Sequence, residues 1–200
     1  HDITYSFGAL TAQTAGLAAS TGVGASTTFT PPMALLNQIP NATSAVATFT
    51  TVTKNSGGTV IGTRTSNLTI TAPASVVPTI SSVSVTEATT TPDLASIVGT
   101  FVQNLSRLDL DMVGEAGAYG STIVSARLSV AGQTINAATG TTPNPIGTSG
   151  TVTVNAEVTD SRGRVSSFAG QNITVLAYTV PQITTVAVQR SNAGGTVDNS

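Results

Sequence analysis

Apolar and polar residues alternate with a period of two along most of this chain. Val152, Val154, Ala156 and Val158 interleave with Thr151, Thr153, Asn155 and Glu157. Val124, Ala126, Leu128 and Val130 interleave with Ser125, Arg127 and Ser129, and Leu108, Leu110 and Met112 with Arg107, Asp109 and Asp111. Ile3, Tyr5 and Phe7 do the same with Asp2, Thr4 and Ser6. Successive side chains of a strand point to opposite faces, so the pattern predicts half-buried antiparallel strands and an all-β fold. β-branched Thr, Val and Ile suit such a pleated surface. Gly and Pro clusters such as Thr142-Pro143-Asn144-Pro145-Ile146-Gly147 separate the strands. Asp160-Ser161-Arg162-Gly163 has Asp first and Gly fourth, the type I pattern that closes a hairpin, and Asn55-Ser56-Gly57-Gly58 occupies a matching place earlier. One short helix is predicted at 31–39, with Thr30 as N-cap and Pro40 as stop. It is too short to be stable alone, so it must pack on the sheets.

A repeat sets the domain organisation. Val77-Pro78-Thr79-Ile80-Ser81-Ser82-Val83-Ser84-Val85 matches Val180-Pro181-Gln182-Ile183-Thr184-Thr185-Val186-Ala187-Val188, 103 residues later. That offset is close to the length of one β-sandwich domain. Asn67-Leu68-Thr69-Ile70 leads into the first copy and Asn172-Ile173-Thr174-Val175 into the second. Each module is expected to end in a strand, cross a Pro-containing linker and enter the next module's first strand. The division is module one at 1–77, module two at 78–180, and at 181–200 the first strand of a third module or a C-terminal extension. The chain opens on His1-Asp2-Ile3-Thr4 and closes on Asn199-Ser200, and it reads as a fragment of something longer. No basic segment followed by an apolar run marks a signal peptide. No apolar stretch approaches the roughly 18–20 residues of a membrane span.

Composition narrows the function. Charged residues are 8% of the chain, seven Lys+Arg and nine Asp+Glu, against about 25% in an average soluble domain. Thr (37) and Ser (21) take their place. A net charge of −2 with a single Lys, Lys54, offers no basic footprint for a phosphate backbone, so nucleic acid is not an expected partner. With no Cys there is no disulfide or thiolate chemistry, and with His1 the only His the commonest general base is missing from the interior. Outward strand positions that usually carry Lys or Glu carry Thr and Ser. Such surface costs little to desolvate, and it lacks the charges that guard sheet edges. It is therefore expected to meet other copies or other proteins.

Three local patterns together carry a resemblance. They are His1-Asp2-Ile3-Thr4-Tyr5-Ser6-Phe7-Gly8; then Phe29-Thr30-Pro31-Pro32 with Leu35 and Ile39-Pro40-Asn41; then Val158-Thr159-Asp160-Ser161-Arg162-Gly163-Arg164 followed by Val175-Leu176-Ala177-Tyr178-Thr179-Val180-Pro181-Gln182-Ile183 and Arg190. In order and spacing the chain resembles the Ig-like repeat modules of minor structural (tail-tip or tail-fibre) proteins of long-tailed phages that infect streptococci and related Gram-positive bacteria. The resemblance covers nearly the whole chain. It implies tandem Ig-like antiparallel β-sandwich modules and a place in the phage tail, after synthesis in the host bacterial cytoplasm. It implies partners among other copies of the chain, a trimer being favoured, and among other virion tail proteins, with a host cell-surface polysaccharide as a further partner. It implies no catalytic residue and no cofactor.

Asp109 and Asp111 share one strand face, and with Glu115 nearby they are the candidate calcium ligands. The plainer reading is a solvated face paired with Arg107 or Arg127. Thr142, Asn144, Ile146 and Thr148 are the candidate binding loop, because loops at one end of a sandwich commonly bind. Asp160, Arg162 and Arg164 are read as turn chemistry, with Asp160 capping the turn and both arginines in solvent. Glu87, Asp93 and Glu157 are the carboxylates left for glycosidase chemistry, which also wants an aromatic-lined cleft. No Gly-x-Ser-x-Gly accompanies the serines. Tyr5, Tyr178 and the five Phe are read as core rather than as a sugar-stacking set. The expectation is a virion structural protein, with a polysaccharide- or cell-surface-binding module as the alternative and no enzymatic activity.

Overall fold

A computed structural model describes residues 1–14, 28–88, 93–186, 188–191 and 193–197. The fold is all-β, as the alternation requires. In the first part, β1 (Asp2–Phe7), β2 (Leu10–Thr14), β3 (Ser44–Lys54) and β4 (Val60–Thr71) form an antiparallel sheet in the order β2-β1-β3-β4. Its apolar face presents Tyr5, Phe7, Ala47 and Ile70, and Leu35, Leu36 and Ile39 cover it. Tyr5, Phe29 and Phe49 meet as a ring cluster with centroids 5.2–5.9 Å apart. Among the described residues, 1–77 thus contribute one sheet closed by a short helical segment rather than by a second sheet.

That segment is Met33–Gln38, and it is 3-10 rather than α: Leu35 N–H donates to Pro32 O and Ile39 N–H to Leu36 O, both at 3.0 Å. The predicted cap Thr30 takes no part. Pro32 stands at the N-cap with no side-chain cap bond, and its missing N–H is one that no helix start would use.

The second part is a two-sheet sandwich. β5 (Ser82–Glu87), β7 (Leu108–Val113) and β10 (Thr139–Thr141) form one sheet, ordered β10-β7-β5. β6 (Phe101–Val102), β8 (Ile123–Val130), β9 (Gln133–Ile135), β11 (Gly150–Asp160) and β12 (Val165–Leu176) form the other, ordered β6-β12-β11-β8-β9. Leu108, Leu110 and Met112 face Leu128, Val130, Val152, Val154, Ala156 and Val158 across one buried core. One strand departs from the expected phase: Val124 is exposed and Ile123 packs on the core instead. The register shifts where Asp160 pairs with Ile123, and a shift of one residue exchanges the faces of a strand. A five-residue helix, α1 (Leu94–Val98), adds to the elements that the pattern predicts. The carboxylate of Asp93 accepts from Ser96 N–H and Gly99 ends the helix at φ 79°, so its Asp and Gly signals were in the sequence.

After β12 the chain carries no strand over residues 177–186, and Ile183 and Val186 are exposed. Ser191 and Val197 make an isolated bridge. Ala187 and Asn192, within the segment expected to open a third module or form an extension, lie outside the described residues.

Candidate functional site

The most constructed polar site is the hairpin turn between β11 and β12, which joins the sandwich to the first sheet. Asp160 closes the turn. Gly163 N–H donates to its carbonyl at 2.8 Å, and its Oδ1 accepts from the N–H groups of Arg162 and Arg164, both at 2.9 Å. Gly163 sits at φ +76°, the left-handed position the turn needs, which costs a side-chain-bearing residue energy. This much follows from the Asp-Ser-Arg-Gly pattern. The arginines do not follow it. Arg162, expected in solvent, is 7% exposed.

The Arg162 guanidinium is held by main-chain carbonyls from two other parts of the chain. Nε donates to Ile39 O at 3.1 Å, Nη2 to Leu36 O at 2.9 Å and to Tyr119 O at 2.8 Å, and Nη1 to Ala118 O at 2.5 Å. Leu36 and Ile39 lie at the end of the 3-10 segment, and a carbonyl oxygen has two lone pairs, so each accepts from Arg162 as well as from the N–H of Ile39 or Ala42. Asp160 Oδ2 lies 3.9 Å from Nη1, so the carboxylate balances the buried charge while the carbonyls take the directed bonds. A guanidinium is planar, always charged and rich in donors, which a Lys cannot match. Ser121 adds its hydroxyl, 2.8 Å from Asp160 Oδ2 and 2.9 Å from Ala118 O. Ser161 Oγ donates to Pro40 O at 2.7 Å, and Arg164 Nη2 to Ala72 O at 3.3 Å. Ala118 also packs against the core of the first sheet. The arrangement fixes one body against the other; the Arg162 guanidinium is occupied by the chain itself, while the buried Nε of Arg164 has no hydrogen-bond partner.

The other candidate residues fall into separate places. Asp109 and Asp111 lie on the outer face of β7. Asp109 stands opposite Thr141 and Thr86, and its carboxylate accepts from Thr141 Oγ1; Asp111 stands opposite Thr139 and Ser84. Glu115 follows β7 and is partly buried. Among the described residues, no three His, Asp or Glu side chains gather within reach of one metal ion. Arg107 donates to Thr142 O at 2.9 Å rather than pairing with Asp109.

In the candidate loop, Thr142 and Ile146 are fully buried while Asn144 and Thr148 are exposed. Thr142 Oγ1 accepts from Leu108 N–H at 3.0 Å, and Ile146 belongs to the sandwich core. These two hold the loop from inside and cannot meet a ligand. Glu87 and Asp93 are spent on α1: Glu87 accepts from Ala95 N–H and Ser106 Oγ, and Asp93 from Ser96 N–H. The Asp93 carboxyl is held below its usual range, first by the Ser96 N–H and then by a hydrogen bond with Glu87. Asp2 is likewise lowered by the Lys54 ammonium that hydrogen-bonds it.

Over residues 1–197 the sequence matches the family described as siphovirus protein of unknown function (DUF859), and the chain belongs to that family. No curated protein matches it.

Proposed function

We propose that this chain is a structural component of the phage virion, in the tail tip, fibre or baseplate. Its Ig-like modules serve there as spacer and assembly units near the host-attachment end. The observation that carries this reading is the buried Asp160/Arg162 joint. Each of the two bodies has a hydrophobic core of its own. Burying a charged pair between them costs desolvation energy and is repaid as a fixed relative geometry. A protein that transmits position and load needs such a joint. Membership in a siphovirus family supplies the setting, and the hydroxyl-rich strand surface supplies faces that neighbours can cover cheaply.

In this reading the chain is no enzyme and needs no cofactor. Copies associate with one another, a trimer being favoured, and with other tail proteins. The hosts are streptococci and related Gram-positive bacteria. Labelled antibody against residues 1–197 decorates the tail end of purified particles. Finding the protein only in infected-cell lysate and never in particles overturns the proposal.

A second reading, contact with a cell-surface polysaccharide, draws on the loop at 142–149. Thr142 and Ile146 anchor it, which presents Asn144 and Thr148 on a rigid mount. Glycan arrays probed with the intact chain test it, and the absence of signal retires it.

A further inference from the structure

The sheet of the first part repeats the geometry of the five-stranded sheet with one strand fewer. β3 and β4 have 11 and 12 residues, and β11 and β12 also have 11 and 12. The order β2-β1-β3-β4 corresponds to β9-β8-β11-β12. Thr48 Oγ1 donates to Asn67 Oδ1 across the first pair at 3.2 Å, and Thr153 Oγ1 to Asn172 Oδ1 across the second at 2.8 Å. These matches superimpose Leu68 on Ile173, Ile70 on Val175 and Thr71 on Leu176.

The outer edge of β12 is occupied. β6 pairs with it in parallel, Phe101 opposite Val175 and Val102 opposite Leu176. The outer edge of β4 has no strand beside it among the described residues. At the corresponding place lies a groove of about 230 Å³, walled by Pro32, Met33 and Leu36 on one side and by Leu68, Ile70 and Thr71 on the other. Leu68 is 51% exposed where its counterpart Ile173 is 8% exposed.

We propose that this groove is a strand-addition site. Its occupant is a short extended segment of a neighbouring polypeptide bearing an adjacent aromatic and aliphatic residue, added in parallel to β4 opposite Ile70 and Thr71. Main-chain bonds to an open edge supply affinity and the apolar wall selects the side chains. The site does not depend on where in a virion the chain resides.

The probe is a synthetic peptide with the sequence of residues 99–105, which contains β6. Hydrogen exchange of the intact chain is followed with and without it. The expected result is saturable binding with slowed exchange at residues 68–71. Leu68→Asp, at a half-exposed position, weakens binding by about tenfold while the exchange pattern of the sandwich core stays that of the parent. A peptide with Ser in place of both Phe and Val does not bind. Protection confined to residues 173–176 means that the peptide only exchanges with β6, and it overturns the site. So does absence of binding. Self-association without peptide that Leu68→Asp abolishes also overturns it, because the groove is then an interface between two copies.

Discussion

The guanidinium of Arg162 lies 2.9 Å from the carbonyl oxygen of Leu36, 126 residues earlier in the chain. That contact ties the turn of the last hairpin to the end of the 3-10 segment. With Ser161 on Pro40 O and Arg164 on Ala72 O, it sets the placement of the sheet against the sandwich.

Replacing Arg162 with Met leaves Asp160 buried without its counter-charge and strips Leu36, Ile39, Ala118 and Tyr119 of a donor. Breaking a buried pair from one side costs about 3–5 kcal/mol. Urea denaturation should register a loss of that size. Hydrogen exchange should quicken at residues 36–40 before it does in the sandwich core. Arg162→Lys keeps the charge but offers fewer donors in the wrong geometry, so it recovers only part of the loss. If Arg162→Met unfolds with the same midpoint as the parent, the joint contributes nothing.

Thr142 is predicted to matter for stability and Thr148 not. Thr142→Val removes the acceptor for the buried Leu108 N–H, a loss of about 1–3 kcal/mol. Thr142→Ser keeps the oxygen and gives up only a methyl, about 0.8 kcal/mol. Thr148 is exposed, and Thr148→Ala should fall within about 0.5 kcal/mol of the parent. Thermal unfolding of the three variants separates these values.

Gly117 is required by close approach. A Cβ there would stand 2.0 Å from Ser121 O and 2.5 Å from Ser121 C, both backbone atoms that cannot swing aside. Gly117→Ala must displace the segment that presents Ser121 to Asp160 and Ala118 O to Arg162. The expected cost is about 1–3 kcal/mol, and a double mutant with Arg162→Met should be less than additive because both act on one network. Strict additivity would place Gly117 outside it.

The alternating strands of the sandwich were legible where one face is dry: β11 buries Val152, Val154, Ala156 and Val158 in the phase that its sequence shows. Val124 breaks the alternation because a register shift is set by a neighbouring strand and leaves no mark in local periodicity. The joint was half legible. Asp160 and Gly163 announce the turn, but nothing local says that a turn arginine is buried, since its acceptors are carbonyls 43 to 126 residues away in sequence order and carry no side-chain signature. A usable hint lay in the contrast with Asn55-Ser56-Gly57-Gly58, a turn in the matching place with no charge at all. Ile146 was a second hint, because an isolated large aliphatic between prolines and glycines is better explained as an anchor than as a contact surface.

The two lowered carboxyls should titrate differently with salt. Asp93 owes its depression chiefly to the Ser96 N–H, a short-range bond, while Asp2 owes its own to the exposed Lys54 ammonium. Each folded-state value lies below the unfolded one near 3.8. The folded state therefore binds fewer protons in that window. The stabilisation is fully present above the unfolded value and is lost as pH falls through the folded one. Protonating Asp93 removes the cap of α1, so the Ser96 amide shift should move with a midpoint below the ordinary aspartate value. Asp93→Asn keeps an acceptor and abolishes the titration. Raising salt screens the exposed ion pair far more than a hydrogen bond. The Asp2 midpoint should climb toward the ordinary value while the Asp93 midpoint moves much less. Equal shifts for both would mean that long-range charge, and not the helix cap, holds Asp93.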